Sequence, residues 1–354
     1  MTQEKRKLAT ALNNEISFYR YPPIGPEDWQ YAYQTAKVRV LELAMIPRGT
    51  FVDMANAGSF AEAAELLAGT DYTIDANADS QQIEQTLMNC RTQSRQLFAY
   101  LISDEEVLIF LRAREDFANM KLAIRRVVTE HPLGLDYSNE GNVPAEEFEE
   151  IFEQENYERL PDYLQDAVEA AVLGYYENKD IRRIDYEIDR VKAAWRVRRA
   201  VELKDVFCLS LMRIRIDLDN LRTMLRLKMA EREEETKFFL PGGFVDTAKC
   251  VQGLSSSYEA IPALFYATPY YELLEASIPY LRSEKSFLKL EKECEDFVKG
   301  FLKTSCSIAA GPQPIVAYFL MKEAEIRTVR MMLTGKKNGL TPKLLLDRLG
   351  EWIS

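Results

Sequence analysis

The sequence predicts an all-α protein built from three similar helical domains. Apolar residues recur every three or four positions over long segments, Gly- and Pro-rich stretches interrupt these segments, and one six-residue helical pattern occurs three times. The copies lie at residues 116–121, 217–222 and 322–327. Because neighbouring copies are roughly a hundred residues apart, the repeating unit is a domain and not a short solenoid repeat.

The polar residues of this pattern are the first candidate positions. The fourth residue of the copies is Asn119, Asn220 or Glu325, and the sixth is Lys121, Arg222 or Arg327. We interpret these residues as equivalent structural positions, because a polar network between packed helices would explain them without a partner. Contact with a partner protein is the alternative. Ile83 also precedes Asn119 by the same interval that separates Ile184 from Asn220, as equivalent helix pairs require.

Two irregular segments predict the domain boundaries. The first follows His131 and is rich in Gly, Pro, Asn and Asp, and the second is Pro241-Gly242-Gly243. They divide the chain into helical domains of residues 1–130, 131–240 and 241–354. The third domain resembles the first, since residues 51–53 (Phe-Val-Asp) recur at 244–246 and the segment 66–72 recurs at 264–270. The middle domain shows no clear copy of Phe-Val-Asp.

Capping residues predict where several helices begin. A helix over 29–46 ends at Pro47, and a short helix follows Ser59, with Glu62 completing a capping box. The helical pattern over 80–128 is too long for one helix in a compact body, so we predict two antiparallel helices, the second capped by Ser103. Further helical patterns cover residues 144–176 and 180–232.

The end of the chain predicts a docked helix. Thr341 is the predicted N-cap of this helix, and Pro342 is its predicted first residue. Leu345, Leu349 and Trp352 then form one apolar stripe, as in a helix that docks on the rest of the protein.

The composition excludes several classes of protein. A net charge of -11 opposes general affinity for nucleic acid or anionic lipid, whose binding surfaces need clustered Lys and Arg. No apolar segment reaches the about 20 residues of a membrane span, and the first residues lack the apolar core of a secretory signal. Five scattered cysteines without a CxxC pair indicate reduced thiols. We expect a soluble cytoplasmic protein.

The sequence offers no credible catalytic, metal or cofactor site. His131 is the single histidine and lies in the predicted linker. Acidic runs such as Glu149-Glu150 indicate solvated helix faces, because a metal site needs carboxylates that converge from separate elements. Residues 334–337 (Thr-Gly-Lys-Lys) lack the upstream glycine of a phosphate loop. They predict a helix C-terminus, where lysines oppose the helix dipole and Gly339 permits the turn.

One basic segment stands out in this acidic chain. Arg190, Arg196, Arg198 and Arg199 interleave with acidic residues at helical spacing, so ion pairs within the helix are the default interpretation. Binding of an acidic partner is the alternative. These four arginines are therefore the candidate partner-interface residues.

Several of these segments resemble those of a known family. Residues 31–39, the segments 51–53 and 66–72, and above all the run from Glu325 to Leu340 resemble the C subunit of prokaryotic V-type and A-type ATPases, the counterpart of the eukaryotic d subunit. The resemblance covers nearly the whole chain. It implies three domains around a pseudo-threefold axis in a funnel that lies on the cytoplasmic side of the membrane rotor ring and receives the central-stalk shaft.

The function that this resemblance implies is that of a non-catalytic rotor adaptor. Its partners would be the central-stalk subunits and the rotor ring, with no cofactor, nucleotide or nucleic acid, at the cytoplasmic face of the membrane. It would transmit the torque that couples ATP hydrolysis or synthesis to proton or sodium transport. A free-standing helical scaffold that regulates a soluble partner is the second hypothesis, and an enzyme that uses carboxylate chemistry is a distant third.

Overall fold

The computed structural model describes residues 18–129, 137–232 and 236–350. These residues form 15 α-helices and four short 3-10 helices, and no strand occurs within these ranges. The all-α prediction is therefore confirmed. Contacts between Cα atoms divide the chain into two compact units. Residues 104–256 form the middle unit, and residues 18–103 together with 257–350 form the outer unit. The three-domain division and the funnel stay predictions.

Six α-helices lie in the described part of the middle unit. They are α5 (Glu105–Thr129), α6 (Ala145–Glu153), α7 (Asp162–Asn178), α8 (Ile181–Glu202), α9 (Val206–Met229) and α10 (Thr247–Ser255).

Aspartates begin the two long helices at the centre of this unit. The Asp180 carboxylate accepts a hydrogen bond from Arg182 N at the start of α8, and Asp205 accepts one from Cys208 N at the start of α9. Lys179, between α7 and α8, has the left-handed φ of 54° that ends a helix. The tight reversal packs α8 against α7 along its length.

An aromatic cluster forms the core between these helices. The Trp195 ring on α8 lies 4.5 Å from Tyr163 and about 6 Å from Phe110 and Phe117, measured between ring centroids. All four side chains are buried. Aromatic rings of α5, α7 and α8 thus meet in one apolar layer, which fixes the spacing of the three helices.

The outer unit contains nine helices. They are α1 (Ala32–Glu42), α2 (Arg48–Asn56), α3 (Phe60–Glu65), α4 (Ser80–Leu101), α11 (Ile261–Leu264), α12 (Tyr271–Glu284), α13 (Leu288–Lys303), α14 (Pro312–Lys337) and α15 (Pro342–Arg348).

The long helix α14 is the centre of the outer unit. It packs against α1, α2, α3, α4, α13 and α15, and most of its residues from 313 to 326 are buried. Val329, Met332 and Leu333 form a core with Phe51 on α2 and Leu345 on α15. Apolar residues thus surround α14 on several sides, which is why its sequence shows no single polar face.

Several predicted helix ends are confirmed. Ser59 accepts a hydrogen bond from Glu62 N, and Thr341 accepts one from Leu344 N. Leu345 and Leu349 are buried as predicted, whereas Trp352 lies outside the described residues. The predicted end of α14 also agrees, because the helix ends at Lys337 and Gly339 has a positive φ of 68°. Lys336 donates to the Ala57 carbonyl at the end of α2.

Three predicted details were wrong. The second helix of the 80–128 region is capped by Asp104, which accepts from Glu106 N, and not by Ser103. The Glu62 carboxylate accepts from Gly58 N, one residue before the cap that a capping box would satisfy. The helix predicted over 29–46 is a 3-10 turn at 29–31 followed by α1, which ends at Glu42.

Repeated anchors, the basic helix and an exposed face

A buried carboxylate on α9 holds the loop that leads to α10. Asp217 accepts hydrogen bonds from Phe244 N and Val245 N, both at 3.0 Å. One turn later, the Asn220 amide donates to the Leu240 carbonyl at 2.8 Å and accepts from Leu240 N at 2.7 Å. Buried backbone groups need such partners, so the two side chains satisfy the loop and fix the start of α10.

The same arrangement recurs on α5. Asp116 accepts from Asn142 N at 2.8 Å and from Val143 N at 3.1 Å. Asn119 exchanges two hydrogen bonds with the backbone of Ser138, at 2.8 and 2.9 Å. The equivalent positions Asn119 and Asn220 therefore contact loop backbone in the same way. We call each set an anchor.

A glycine is required next to each of these two carboxylates. A Cβ atom added at Gly141 would overlap Asp116 Oδ1, and one added at Gly243 would overlap Asp217 Oδ1. Only glycine permits this close approach of backbone to carboxylate. The two Gly-x-Val segments, 141–143 and 243–245, are thus copies of each other.

A tyrosine completes the anchor on α5. The Tyr163 hydroxyl donates to Asp116 Oδ2 at 2.7 Å. Burial raises the pKa of the Asp116 carboxyl, while hydrogen bonds from Tyr163, Val143 and Asn142 act in the opposite direction. Burial also raises the pKa of Tyr163, and the Asp116 charge adds to that shift. The tyrosine therefore remains a neutral donor to the carboxylate.

The anchor on α14 differs in its residues. Here Lys322 takes the position of the aspartate, and the carboxylate is Glu325, one turn later. Glu325 is fully buried and accepts from Ile46 N at 2.7 Å and from the Tyr72 hydroxyl at 2.6 Å. Lys322 donates to Glu325 at 2.8 Å and to Asp71 at 3.0 Å. A lysine–glutamate pair thus does what an aspartate does on α5 and α9.

Each anchor precedes a short helix of the same length. Ile46 leads to α2, Val143 to α6 and Val245 to α10, and all three helices have nine residues. The anchors therefore correct the predicted alignment of residues 51–53 with residues 244–246. Phe51 lies inside α2, whereas Phe244 precedes α10, so the Phe-Val-Asp segments are not structurally equivalent. The structurally equivalent residues before the three short helices are Ile46, Val143 and Val245.

The second sequence alignment, of residues 66–72 with 264–270, is confirmed. Thr70 donates to the Leu67 carbonyl and Thr268 to the Phe265 carbonyl, each at 2.7 Å. Tyr72 and Tyr270, two residues after these threonines, are both fully buried. Matching hydrogen bonds and burial make the two turns copies of each other.

The sixth positions of the pattern lie at the helix surface. Lys121 pairs with Asp189 at 2.8 Å and Arg222 with Asp219 at 3.0 Å, while Arg327 is exposed. The repeated pattern predicted these positions as equivalent but did not mark Asp116, Asp217 and Lys322. An aspartate at the first position of two copies, with a Gly-x-Val segment 25 or 26 residues later, is the signal that would have found the two aspartates.

The structure does not bring the four candidate arginines of α8 together. Arg190 is exposed and pairs with Glu187, Arg199 pairs with Glu202 at 3.0 Å, and Arg198 is exposed. The predicted ion pairs within the helix are confirmed for Arg190 and Arg199. Arg196 is the exception, because its side chain is buried and its Nε has no hydrogen-bond partner.

One face of α1 and the turns at its ends is apolar and exposed. Trp29, Tyr33, Val40 and Leu43 are each at least 66% exposed. The opposite face is attached to α14, where the Thr35 hydroxyl exchanges hydrogen bonds with Gly311 N and O at 3.1 Å. Contiguous apolar side chains on a surface are typical of contact sites, and we call these four residues the α1 face.

The metal-ligating residue types do not cluster in the described part of the chain. Within it, no group of three or more His, Cys, Asp or Glu residues could hold a metal ion. His131 lies outside the described residues. The cysteines are free thiols, of which four are buried and Cys306 is exposed.

Comparison with known proteins decides the family. The family model of the ATP synthase (C/AC39) subunit matches residues 34–348, which include all three anchors. The chain belongs to this family. The resemblance predicted from sequence, to the C subunit of V-type and A-type ATPases, is confirmed.

Curated members of the C/AC39 family align along most of their length. The C subunit of the V-type sodium ATPase of Enterococcus hirae is 23% identical over 89% of this chain and 96% of its own. The C subunits of the A-type ATP synthases of Methanocaldococcus jannaschii and Methanococcoides burtonii are 24% and 23% identical, over 88% and 90% of this chain and 84% and 94% of theirs. Among the described residues of this C/AC39 member, no helix has the length and apolar character to cross a bilayer.

Proposed function

We propose that this protein is the non-catalytic rotor adaptor of a rotary V-type or A-type ATPase. It would link the central-stalk subunits to the membrane rotor ring at the cytoplasmic face and transmit torque between them. The observation that carries this proposal is the family match over residues 34–348. The relatives are named as subunits of a sodium ATPase and of ATP synthases, and this chain would serve the same kind of complex.

The anchors support a role in transmitting force. A torque-bearing subunit must resist bending where its helices meet its loops. Asp116, Asp217 and Glu325 are each buried and each accept from loop backbone, so the start of a short helix is fixed to a long helix three times. Such repeated polar contacts suit a rigid connector better than an enzyme with moving parts.

The α1 face supports a role in assembly. Four large apolar side chains on one exposed surface are costly to leave in water and favour burial against another protein. We therefore propose this face as a contact with a subunit of the same ATPase. Val40→Asp, which puts a charge at its centre, is the direct test of that contact.

The proposal is tested by binding. Purified full-length chain should form a stable complex with purified central-stalk subunits or with the detergent-solubilised rotor ring, measured by size-exclusion chromatography with light scattering. Val40→Asp should weaken at least one of these complexes. The control Leu173→Asp places the same charge at an exposed apolar position of the middle unit and should bind normally.

Two outcomes would contradict the proposal. Folded chain that binds neither stalk nor ring would remove the adaptor function. Co-purification from native membranes gives the second comparison: a chain that stays in the soluble fraction without ATPase subunits would support the alternative, a helical scaffold for a soluble partner.

A further inference from the structure

A cavity in the middle unit is lined mainly by cations. It has a volume of about 460 Å³ and lies between α5, α8 and α9, with Phe238 and Leu240 closing one side. Seven of its lining residues are Lys or Arg and two are Asp. Its volume lies within the range of about 300–1,000 Å³ for small-molecule sites.

The two carboxylates of the cavity are already committed to cations. Asp189 pairs with Lys121 at 2.8 Å and also with Lys192. Asp219 pairs with Arg222 at 3.0 Å. The lining thus carries more cationic than acidic side chains, which is unusual in a chain whose net charge is -11.

Arg196 is the decisive residue of the cavity. Its side chain is only 7% exposed, and its Nε has no hydrogen-bond partner. Burial lowers the pKa of Arg196 to about 10, and the charge of Arg114 lowers it further, so the guanidinium is still charged at neutral pH. The Arg196 guanidinium lies over the Phe110 ring, 5.2 Å from the ring centroid, and the nearby charge of Arg114 has the same sign. A buried cation beside a like charge costs stability, and an anion in the cavity would offset that cost.

The cavity lining also includes an arginine at the protein surface. Arg114, which also lines the cavity, is exposed to solvent. A ligand in the cavity would therefore have one exposed and one buried guanidinium group in its lining.

We propose that this cavity binds a small multivalent phosphate-type oxyanion such as pyrophosphate. Guanidinium groups match the geometry of phosphate oxygens, and charge-assisted hydrogen bonds to a buried Arg are strong. A multivalent anion would offset the excess of cations, and Thr223 adds a hydroxyl donor to the lining. The site concerns the middle unit by itself and does not depend on the proposed rotor function.

Isothermal titration calorimetry and thermal unfolding of the full-length chain test the site. Pyrophosphate, orthophosphate and ATP would each be titrated at constant ionic strength, with NaCl as the reference salt. Saturable binding of pyrophosphate and a rise in Tm above that in NaCl are expected. ATP that binds no better than pyrophosphate would identify the free oxyanion as the ligand. ATP that binds at least about tenfold tighter would identify the phosphates of a nucleotide as its source.

Variants locate the binding. Arg196→Met keeps the length of the side chain, removes the buried charge, and should weaken pyrophosphate binding at least about tenfold without lowering the Tm of the ligand-free protein. Arg114→Met changes an exposed side chain, should fold in any case, and should weaken binding several-fold. The control Arg190→Met, on the exposed side of the same helix, should bind like the unchanged chain.

Two results would overturn the proposal. One is a pyrophosphate effect no larger than that of NaCl at the same ionic strength. The other is pyrophosphate binding that persists unchanged in both Arg114→Met and Arg196→Met.

Discussion

Asp217 and Arg196 are both buried charges of the middle unit, but their surroundings differ. The Asp217 carboxylate accepts from two backbone N–H groups, so its charge is matched inside the fold. Arg196 has an Nε without a partner and a neighbouring cation. The difference teaches that a buried charge can serve either structure or binding. The carboxylate that accepts hydrogen bonds within the chain holds the fold, whereas for the guanidinium beside the cavity we propose a ligand.

Asp217→Ala is the strongest test of the structural role of the α9 anchor. It leaves the N–H groups of Phe244 and Val245 buried without an acceptor, at about 1–3 kcal/mol each, so a loss of about 3 kcal/mol in the free energy of unfolding is expected. Urea unfolding followed by circular dichroism measures it. Asp219→Ala on the same helix removes a half-exposed ion pair and should cost about 1 kcal/mol or less. Equal losses in the two variants would contradict the anchor.

Gly243→Ala tests the close approach of backbone to the same carboxylate. The added methyl group overlaps Asp217 Oδ1, and the resulting displacement should cost about 1–3 kcal/mol. Gly49→Ala is the matched control, because its helical position has no atom within 4 Å of the added Cβ. That change should stabilise by about 0.5–1 kcal/mol. A Gly243→Ala protein that is as stable as Gly49→Ala would show that the loop can move freely.

The α14 anchor should respond differently from the α9 anchor. Lys322→Met removes one donor to Glu325 but leaves those from Ile46 and Tyr72, so we expect a loss of about 1–3 kcal/mol. Glu325→Ala removes the acceptor of all three and should cost more. Thermal unfolding of the two variants checks this order. The reverse order would show that the lysine, and not the glutamate, holds the loop.

The smallest expected effect is a pH dependence at Asp116. Burial raises the pKa of this carboxyl in the folded protein, so the folded state binds its proton more tightly than the unfolded state. Its contribution to stability is full below the ordinary Asp pKa of about 3.9 and is lost as pH rises through the folded pKa. As the pH rises through this range, the free energy of unfolding of the unchanged chain should therefore fall relative to that of Asp116→Asn. A difference that does not vary with pH would contradict this.

Much of the fold could be predicted from sequence because helices leave local signals. The three long helices that carry the anchors, the cap at Thr341 and the break at residues 241–243 all follow from periodicity and from Gly, Pro and capping residues. The exposure of Tyr33 and Val40 could not be predicted, since an apolar stripe on a helix usually faces the core.

Only part of each anchor could be predicted from the sequence. Asn119 and Asn220 lie at matching positions, but their partners Ser138 and Leu240 are backbone groups, which carry no residue-type signal. The α14 anchor is also hard to recognise in the sequence, because Lys322 and Glu325 replace the aspartate of the other two anchors. The unpaired Nε of Arg196 depends on three-dimensional surroundings, so the basic segment indicated a surface for binding but not the cavity.

The proposed function is that of a non-catalytic subunit that couples ATP turnover to ion transport. The most direct measurement compares membrane vesicles that carry the complete ATPase with vesicles in which only this chain is omitted and then added back. The account predicts that omission abolishes ATP-driven ion transport while the nucleotide-binding part still hydrolyses ATP, and that addition restores transport. Ion transport that proceeds unchanged without the chain would contradict the account.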